Sequence, residues 1–188
     1  MIRTSVRGID VVLETDPRLF SPHEIDAGTL AMLSHAPFTE KDKVLDLGCG
    51  YGVVGIVAAR LIGAERVWMI DSDAIAIEIA SRNVRANEVD GVVVTRSEGF
   101  SDFQETGFTQ ILCNPPYHTD FRVPKQFIHK GFNRLLVGGT LWMVTQRQLW
   151  YRNKLKAIFG RVREHSRPPY TVFEATKTSP RYATASTH

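Results

Sequence analysis

The sequence predicts an α/β fold, a mostly parallel sheet with helices on both faces, and three observations carry that prediction. From Lys43 onward short apolar runs alternate with helical segments, as parallel βαβ units demand. The runs at 44–47, 67–70, 92–95, 109–113 and 140–145 lack the two-residue periodicity of a half-exposed strand, so they read as strands covered on both faces. The first of them passes directly into Gly48-Cys49-Gly50-Tyr51-Gly52 and then into a helical stretch over 53–61, the junction at which a ligand meets the backbone.

Before that junction, residues 9–15 read as a short strand, followed by a loop through Asp16-Pro17 and Phe20-Ser21-Pro22. From Glu24 or Ile25 to about Ser34, the spacing of Ile25, Leu30 and Leu33 predicts a helix over one edge of the sheet. Residues 1–40 therefore form a strand and helix preface to a single domain over 1–176. After the junction, Ser72 or Asp73 can cap a helix running to about Asn87, whose Ile75, Ala76, Ile79, Ala80 and Val84 recur at three- and four-residue spacing. Residues 123–136 predict a further helix ended by Gly138-Gly139, and residues 149–159 another ended by Gly160. The period then changes. Residues 162–165 and 170–175 alternate on either side of Pro168-Pro169, as two closing strands that give the sheet an antiparallel end. Residues 177–188 carry no apolar pattern and are expected to be a disordered, frayed tail.

Length and composition narrow the class. A chain of 188 residues suits one domain that buries about 70% of its unfolded surface. Cys49 and Cys113 are too few for a disulfide framework and read as small buried residues in a reducing compartment. No signal-peptide pattern opens the sequence and no stretch reaches the roughly 18 apolar residues of a membrane helix, so a cytoplasmic protein without a membrane partner is expected. None of the six histidines is paired at zinc spacing, and no metal is expected. The net charge of +3 is uneven: residues 147–188 hold 9 Lys/Arg against 2 Asp/Glu. That basic end could face phosphates or simply be a solvated surface.

Two ligands compete for the glycine turn. Gly50-x-Gly52-x-x-Gly55 satisfies a dinucleotide fingerprint. Asp46, two residues before Gly48, would repel a pyrophosphate but would meet the amino end of an amino-acid-like ligand. Asp71, with Ser72 beside it, closes the second apolar strand where a carboxylate can accept from two ribose hydroxyls. Nucleoside plus amino acid describes S-adenosylmethionine. Cys49, Gly50 and Gly52 would then lie along the donor. Glu98, in Ser97-Glu98-Gly99-Phe100, is placed to accept from an adenine amino group while Phe100 flanks its ring, although an exposed loop acid is the plainer reading. Phe20 and Asp26, the latter in Asp26-x-Gly28-Thr29, either line the mouth of the site or mark a helix start.

Asn114-Pro115-Pro116-Tyr117-His118 follows directly on a strand, so it and the glycine turn should share one cleft beyond the carboxyl ends of the strands. Methylating an exocyclic amine on a base requires its hydrogens to be held so that the nitrogen lone pair turns toward the methyl group. The Asn114 side-chain oxygen and the Pro115 carbonyl can serve as the two acceptors, and Tyr117 offers a ring to stack on the base. His118 is either a substrate contact or a loop histidine. Past the fifth run, Arg147 and Trp150 interleave cation and aromatic as a nucleic-acid strand prefers, or else pack a helix onto the sheet.

On these residues the chain resembles the small-domain class I methyltransferases, among them the ribosomal RNA guanine-N2 methyltransferases of the RsmC type. The similarity runs from about residue 20 to residue 175 and rests on Phe20-Ser21 with Asp26-x-Gly28, on residues 44–52, on Asp71, on Ser97 to Ser101 and on Asn114 to His118. It implies a Rossmann-like sheet of seven strands with the last antiparallel, and S-adenosylmethionine as cofactor, bound through Asp46, Gly48, Gly50, Asp71 and Glu98. The target base falls to Asn114 through Tyr117. Larger members carry a further amino-terminal domain of similar fold, so recognition of RNA is expected from this domain, a partner or oligomerisation. Family members usually have phenylalanine where Tyr117 stands, whereas tyrosine occurs in adenine-N6 and glutamine methyltransferases. The expected activity is N-methylation of a base amine, guanine N2 of ribosomal RNA. An adenine, a protein glutamine, or a non-catalytic RNA-binding module of the same fold are the alternatives. A dehydrogenase is disfavoured by Asp46 and by the absence of a Tyr-x-x-x-Lys relay.

Overall fold

A computed structural model of the chain describes residues 1–115 and 120–184. The elements run β1 (Ile2–Val6), β2 (Ile9–Leu13), α1 (Ala27–His35), β3 (Val44–Leu47), α2 (Val53–Ile62), a 3-10 turn (Ala64–Arg66), β4 (Val67–Asp71), α3 (Ala74–Ala86), β5 (Val93–Arg96), β6 (Phe108–Cys113), α4 (Arg122–Arg134), β7 (Leu135–Thr145), α5 (Gln148–Phe159), β8 (Gly160–Arg167) and β9 (Tyr170–Lys177). The main sheet has seven strands in the order β5-β4-β3-β6-β7-β9-β8. The strands from β5 to β7 are parallel, and β9 runs antiparallel to both β7 and β8. The last strand in the chain is thus the reversed one, as expected.

Because every interior strand is covered on both faces, its side chains divide by alternation between two cores. Val44, Met69, Leu112 and Val144 face α1, α2 and α3, while Leu45, Ile70, Ile111 and Met143 face a phenylalanine-rich layer under α4 and α5. Chain order reverses between β3 and β6, which flank one another, so the switch point lies at their carboxyl ends. Register then sets the site. Leu47 pairs with both Ile70 and Cys113, which brings the next residues, Gly48, Asp71 and Asn114, to one level.

The preface is more elaborate than its sequence suggests. β1, for which the sequence suggests no element, pairs with β2 as a separate hairpin through Arg7-Gly8, both at positive φ, the backbone that a two-residue hairpin turn requires. The Arg7 guanidinium donates to the Leu33 and Ala36 carbonyls at the end of α1. The free edge of β2 is satisfied by two asparagines one turn apart, Asn83 in α3 and Asn87 at its C-cap. Val12 N–H donates to Asn87 Oδ1 (3.0 Å) and Asn87 Nδ2 returns a bond to the Val12 carbonyl (2.7 Å). Glu14 N–H donates to Asn83 Oδ1 (2.7 Å), and Asn83 Nδ2 donates to the carbonyls of Glu14 (2.9 Å) and Tyr51 (2.8 Å).

Several expected boundaries need correction, among them the strand expected over 140–145, which begins at Leu135. α1 starts after Asp26, whose carboxylate caps it by accepting from Thr29 N–H. β5 is shifted by one residue and, as an edge strand, is partly exposed on both faces. The helix expected over 123–136 ends at Arg134 because Leu135 already pairs with Phe108; Gly138-Gly139 form a bulge inside β7 and do not cap the helix. Residues 177–184 are not frayed. The buried Lys177 ammonium donates to the Phe132 and Leu135 carbonyls (2.8 Å each), Tyr182 packs edge-on to Phe132 and His129, and Ala183 N–H donates to the Ile158 carbonyl. Residues 185–188 lie outside the described residues.

The fully buried Asn83 amide joins three elements, so Asn83→Ala should lower stability by about 2–4 kcal/mol by stranding backbone groups of Glu14 and Tyr51. Urea unfolding monitored by circular dichroism checks it, and an unchanged midpoint would contradict the bridging role.

Candidate functional site

At the switch point the carboxyl ends of β3, β4, β5 and β6 open into a cleft of about 520 Å³. Its floor is the glycine turn, and the amides of its three glycines and of Cys49 have defined destinations. Gly48 and Cys49 N–H both donate to the Ile70 carbonyl (2.8 and 3.0 Å), Gly50 N–H to Asp71 Oδ2 (2.9 Å), and Gly52 N–H to the Cys49 carbonyl (2.9 Å). These amides are spent on the protein, so the turn is no nest for a pyrophosphate.

The cleft is acidic. Asp26, Asp46, Asp71, Asp73 and Glu98 line it, while its one lining cation among the described residues, Arg18, is paired with Asp16 at 2.7 Å. Asp46 is 3% exposed and its Oδ2 accepts from Gly55 N–H (2.9 Å). Burial pushes its pKa up to about 7, against the pull of that amide, and the charge of Asp71 adds to the rise. Asp71 accepts from Gly50 N–H through Oδ2 and from Asp73 N–H (2.9 Å) through Oδ1, which leaves each oxygen with capacity for a further donor. The Cys49 and Cys113 thiols are pushed well up by burial, with the Asp46 and Asp71 charges contributing, so both stay protonated and inert.

Asn114, at the end of β6, is held by α1. Its Nδ2 donates to Asp26 Oδ2 and to Thr29 Oγ1, both at 2.9 Å. Asp26 Oδ1 in turn accepts from Tyr170 Oη at 3.2 Å.

The cleft brings together Phe20, Asp26, Asp46, Gly48, Cys49, Gly50, Asp71, Ser72, Glu98, Gly99, Asn114 and Pro115. Other expected positions fall elsewhere. Gly52 turns toward Met69 and Ala80 in the α3 core and does not line the cleft. Phe100 is 3% exposed and packs edge-on against Phe127, so the ring that reaches the cleft wall is Phe127 of α4. Arg147 and Trp150 lie outside the lining, gathered about Phe121: Trp150 stacks on its ring at 4.3 Å and the Arg147 guanidinium sits 5.3 Å from its centroid. Pro116, Tyr117 and His118 lie outside the described residues.

Several residues escaped the sequence reading. Tyr51 is one, its hydroxyl donating to the Ser21 and Glu24 carbonyls (3.3 Å each) and tying the glycine turn to the preface. Burial, with Asp26 nearby, pushes that phenol up to about 12. Tyr170, Phe121 and Phe127 are the others. Only Tyr51, inside the glycine motif, carried a local signal. Among the described residues, no group of three or more His, Cys, Asp and Glu is placed to hold a metal ion, and no helix is long and apolar enough to cross a membrane.

Sheet order and cleft position together define a Rossmann-like α/β protein of the methyltransferase type. Residues 10–174 match the family described as methyltransferase small domain, and the chain belongs to that family. It is 30% identical over 182 residues to the ribosomal RNA large subunit methyltransferase G of Pseudoalteromonas translucida, covering 92% of this chain and 47% of that protein. With the ribosomal RNA small subunit methyltransferase C of Haemophilus influenzae it shares 36% identity over 155 residues, 80% of this chain and 46% of the relative. The chain therefore spans about half the length of these curated relatives. Among solved structures it is similar to the T. thermophilus 16S rRNA N2 G1207 methyltransferase (RsmC) in complex with AdoMet and guanosine. The TM-score is 0.84 at 23% identity, over 94% of this chain and 50% of that one.

The raised pKa of Asp46 has a thermodynamic sign. Between about 4 and 7 the folded state keeps a proton that the unfolded state has released, so this group lowers stability as pH rises, by up to about 1.4 kcal/mol per pH unit, and the loss is complete above pH 7. Asp46→Asn removes the titration. Without ligand, its melting temperature should exceed that of the native protein at pH 8, with the gap closing toward pH 4; calorimetric scans across that range test it.

Proposed function

We propose that this chain is an S-adenosylmethionine-dependent N-methyltransferase acting on an exocyclic base amine, with guanine N2 of ribosomal RNA as the acceptor. The observation that carries the reading is the orientation of Asn114. Both hydrogens of its amide nitrogen are committed to Asp26 and Thr29, so what the group offers a ligand is an oxygen, an acceptor. An acceptor recognises an N–H, which suits an amine that must be held by its hydrogens while its lone pair receives a methyl group.

The residues present fit the cofactor. The cleft volume lies in the range for ligands of this size, and its carboxylates favour a cation over a phosphate. Ser97 adds a buried hydroxyl on the wall that has no partner among the described residues, as a polar contact to a ligand would require. When bound, S-adenosylmethionine supplies an electrophilic methyl group on a sulfonium sulfur. Asp46 would meet the ammonium of the amino-acid end. Asp71 would accept from the ribose hydroxyls, and Glu98 and Ser97 would meet the adenine edge with Phe127 against its face. Asn114 Oδ1 and the Pro115 carbonyl would hold the acceptor amine, turning its lone pair toward the methyl; the expected roles of Pro116, Tyr117 and His118 fall outside the described residues.

RNA as the substrate class is supported by the relatives and by the basic carboxyl-terminal quarter. The Phe121, Trp150 and Arg147 cluster offers a splayed nucleotide a surface for stacking and a cation. Such an enzyme would act in the cytoplasm.

With tritiated cofactor and ribosomal RNA or subunits, Asn114→Ala should lower transfer roughly 10²- to 10³-fold while retaining cofactor binding; undiminished transfer refutes the role given to Asn114. A second expectation concerns protons. Because Asp46 is largely protonated below pH 7 and must ionise to pair with an ammonium, cofactor binding at pH 6 should release about one proton and weaken up to about tenfold per pH unit below 7. Titration calorimetry in buffers of different ionisation enthalpy measures it, and a proton count near zero would exclude the pairing.

A further inference from the structure

Asp26 was expected to line the mouth of the cleft or to mark a helix start, and its contacts give it a more specific place. It is nine-tenths buried, caps α1 through Thr29 N–H, accepts from Asn114 Nδ2 through the same oxygen, and accepts from Tyr170 Oη through the other. Tyr170 comes from the first residue of β9, Asp26 from the entry to α1 and Asn114 from the end of β6, so the three are 88 and 144 residues apart in the chain where they bond. Gly28 makes the approach possible. A Cβ there would stand 2.9 Å from Asp26 Oδ2 and 2.9 Å from two carbons of the Tyr170 ring, so any side chain would part the phenol from the carboxylate.

We infer that Tyr170 and Asp26 are positioning residues for methyl transfer, which hold the Asn114 amide with its oxygen toward the acceptor and place a negative charge behind it; the inference rests on the function proposed above. Two physical effects follow from the geometry. An asparagine side chain turns freely about its last bond unless something distinguishes nitrogen from oxygen. A carboxylate and a hydroxyl acceptor both on the nitrogen side do so, and a flip would set the amide oxygen against the Asp26 carboxylate. The second effect is electrostatic. As the acceptor nitrogen gives its lone pair to the methyl carbon, the carbon–sulfur bond would break onto sulfur and leave a neutral thioether; the nitrogen would become cationic, and its N–H groups stronger donors, until one of those protons passed to water. A carboxylate that is itself nine-tenths buried, hydrogen-bonded to the amide nitrogen, polarises the Asn114 oxygen toward that growing charge. Thr29 completes the hold through its hydroxyl, and Tyr170 keeps Asp26 itself from rotating.

Two conservative variants separate these effects from a merely structural role. Asp26→Asn preserves every hydrogen bond in outline: its oxygen can face Thr29 N–H and Asn114 Nδ2, and its nitrogen can donate to Tyr170 Oη. It removes only the charge. It should lower kcat at least about tenfold while KM for cofactor and RNA changes less than about twofold. In an Asn114→Ala background the same substitution should have little further effect on kcat, because the charge acts through Asn114. Tyr170→Phe should lower kcat several-fold. Its structural counterpart is read by nuclear magnetic resonance: the Asn114 amide protons, assigned by their loss in Asn114→Ala, should exchange slowly in the native protein and faster in Tyr170→Phe.

An exchange rate in the native protein equal to that of a solvent-exposed amide would overturn the inference, as would a native kcat in Asp26→Asn. Active native enzyme with an indifferent Asp26→Asn refutes the positioning role alone. A native protein that binds cofactor yet transfers nothing to RNA refutes the proposed function and this inference with it.

Discussion

Asp46 sits on the central strand of a sheet covered on both faces, where an ionised carboxylate is expensive, and it accepts from the Gly55 amide. Nothing in the packing calls for an acid at that position. Its neighbours Val44, Leu45 and Leu47 are apolar and fully buried, and an apolar residue at 46 would extend the layer facing α2. The constraint instead comes from the level at which it stands. β3 and β4 end within a residue of each other, so the Asp71 charge reaches the Asp46 carboxyl and adds to the rise that burial causes there. Keeping Asp46 ionised is therefore costly in the ligand-free protein, a cost that a cation beside it would relieve. The rest of the cleft is built to keep this pair in place. Gly48 and Cys49 are tied to Ile70, and Gly50 to Asp71, so the turn after β3 and the end of β4 behave as one rigid piece.

The amino-terminal forty residues belong to that same piece. The β hairpin is bonded to α3 through Asn83 and Asn87, and Asn83 also holds the carbonyl of Tyr51 in the glycine turn. Tyr51 reaches back to Ser21 and Glu24, and Asp26 reaches across to Asn114. Each contact joins a preface element to a different wall of the cleft. Displacing the preface would therefore loosen the floor and Asn114 together.

What could be read from the sequence was what local spacing encodes. The glycine turn, the acids at 46 and 71 and the asparagine at 114 all stand at or beside the carboxyl end of a strand, and such ends in a parallel sheet converge whatever lies between them. The expectations that failed depended on direction or on long-range partners. Phe100 and Phe127 are both aromatic and near the cleft, but which of them faces it is decided by packing in the layer under α4, which periodicity cannot reveal. Gly52 belongs to the glycine motif yet serves the fit of α2 on α3. β1 was missed because its partner is two residues away through a turn opened by an arginine, a residue that rarely takes positive φ and is compensated here by capping α1. The stretch after Ala175 looked frayed because its anchors are a lysine on helix-end carbonyls and backbone bonds to α5, neither of which leaves an apolar pattern. Tyr170 had no local signal at all, being defined by a partner 144 residues away.

The same long-range contact explains why asparagine stands at 114. The side chain beside the buried Asp26 carboxylate and the Thr29 hydroxyl donates to both, and its oxygen is what it can turn to any further donor. Aspartate could not donate and would set a second carboxylate against the first. Serine has one hydrogen to give and would leave one of the two acceptors without it. Glutamine has the right atoms, but an added methylene would carry them past Asp26 and Thr29, both of which are fixed by the first turn of α1. Histidine in its neutral form has one donor and one acceptor, and so could serve one partner only. Asparagine alone supplies two donors and a fixed acceptor on a short stem. The chemistry at the end of β6 is therefore specified as much by the acid at the start of α1 as by the ligand it faces.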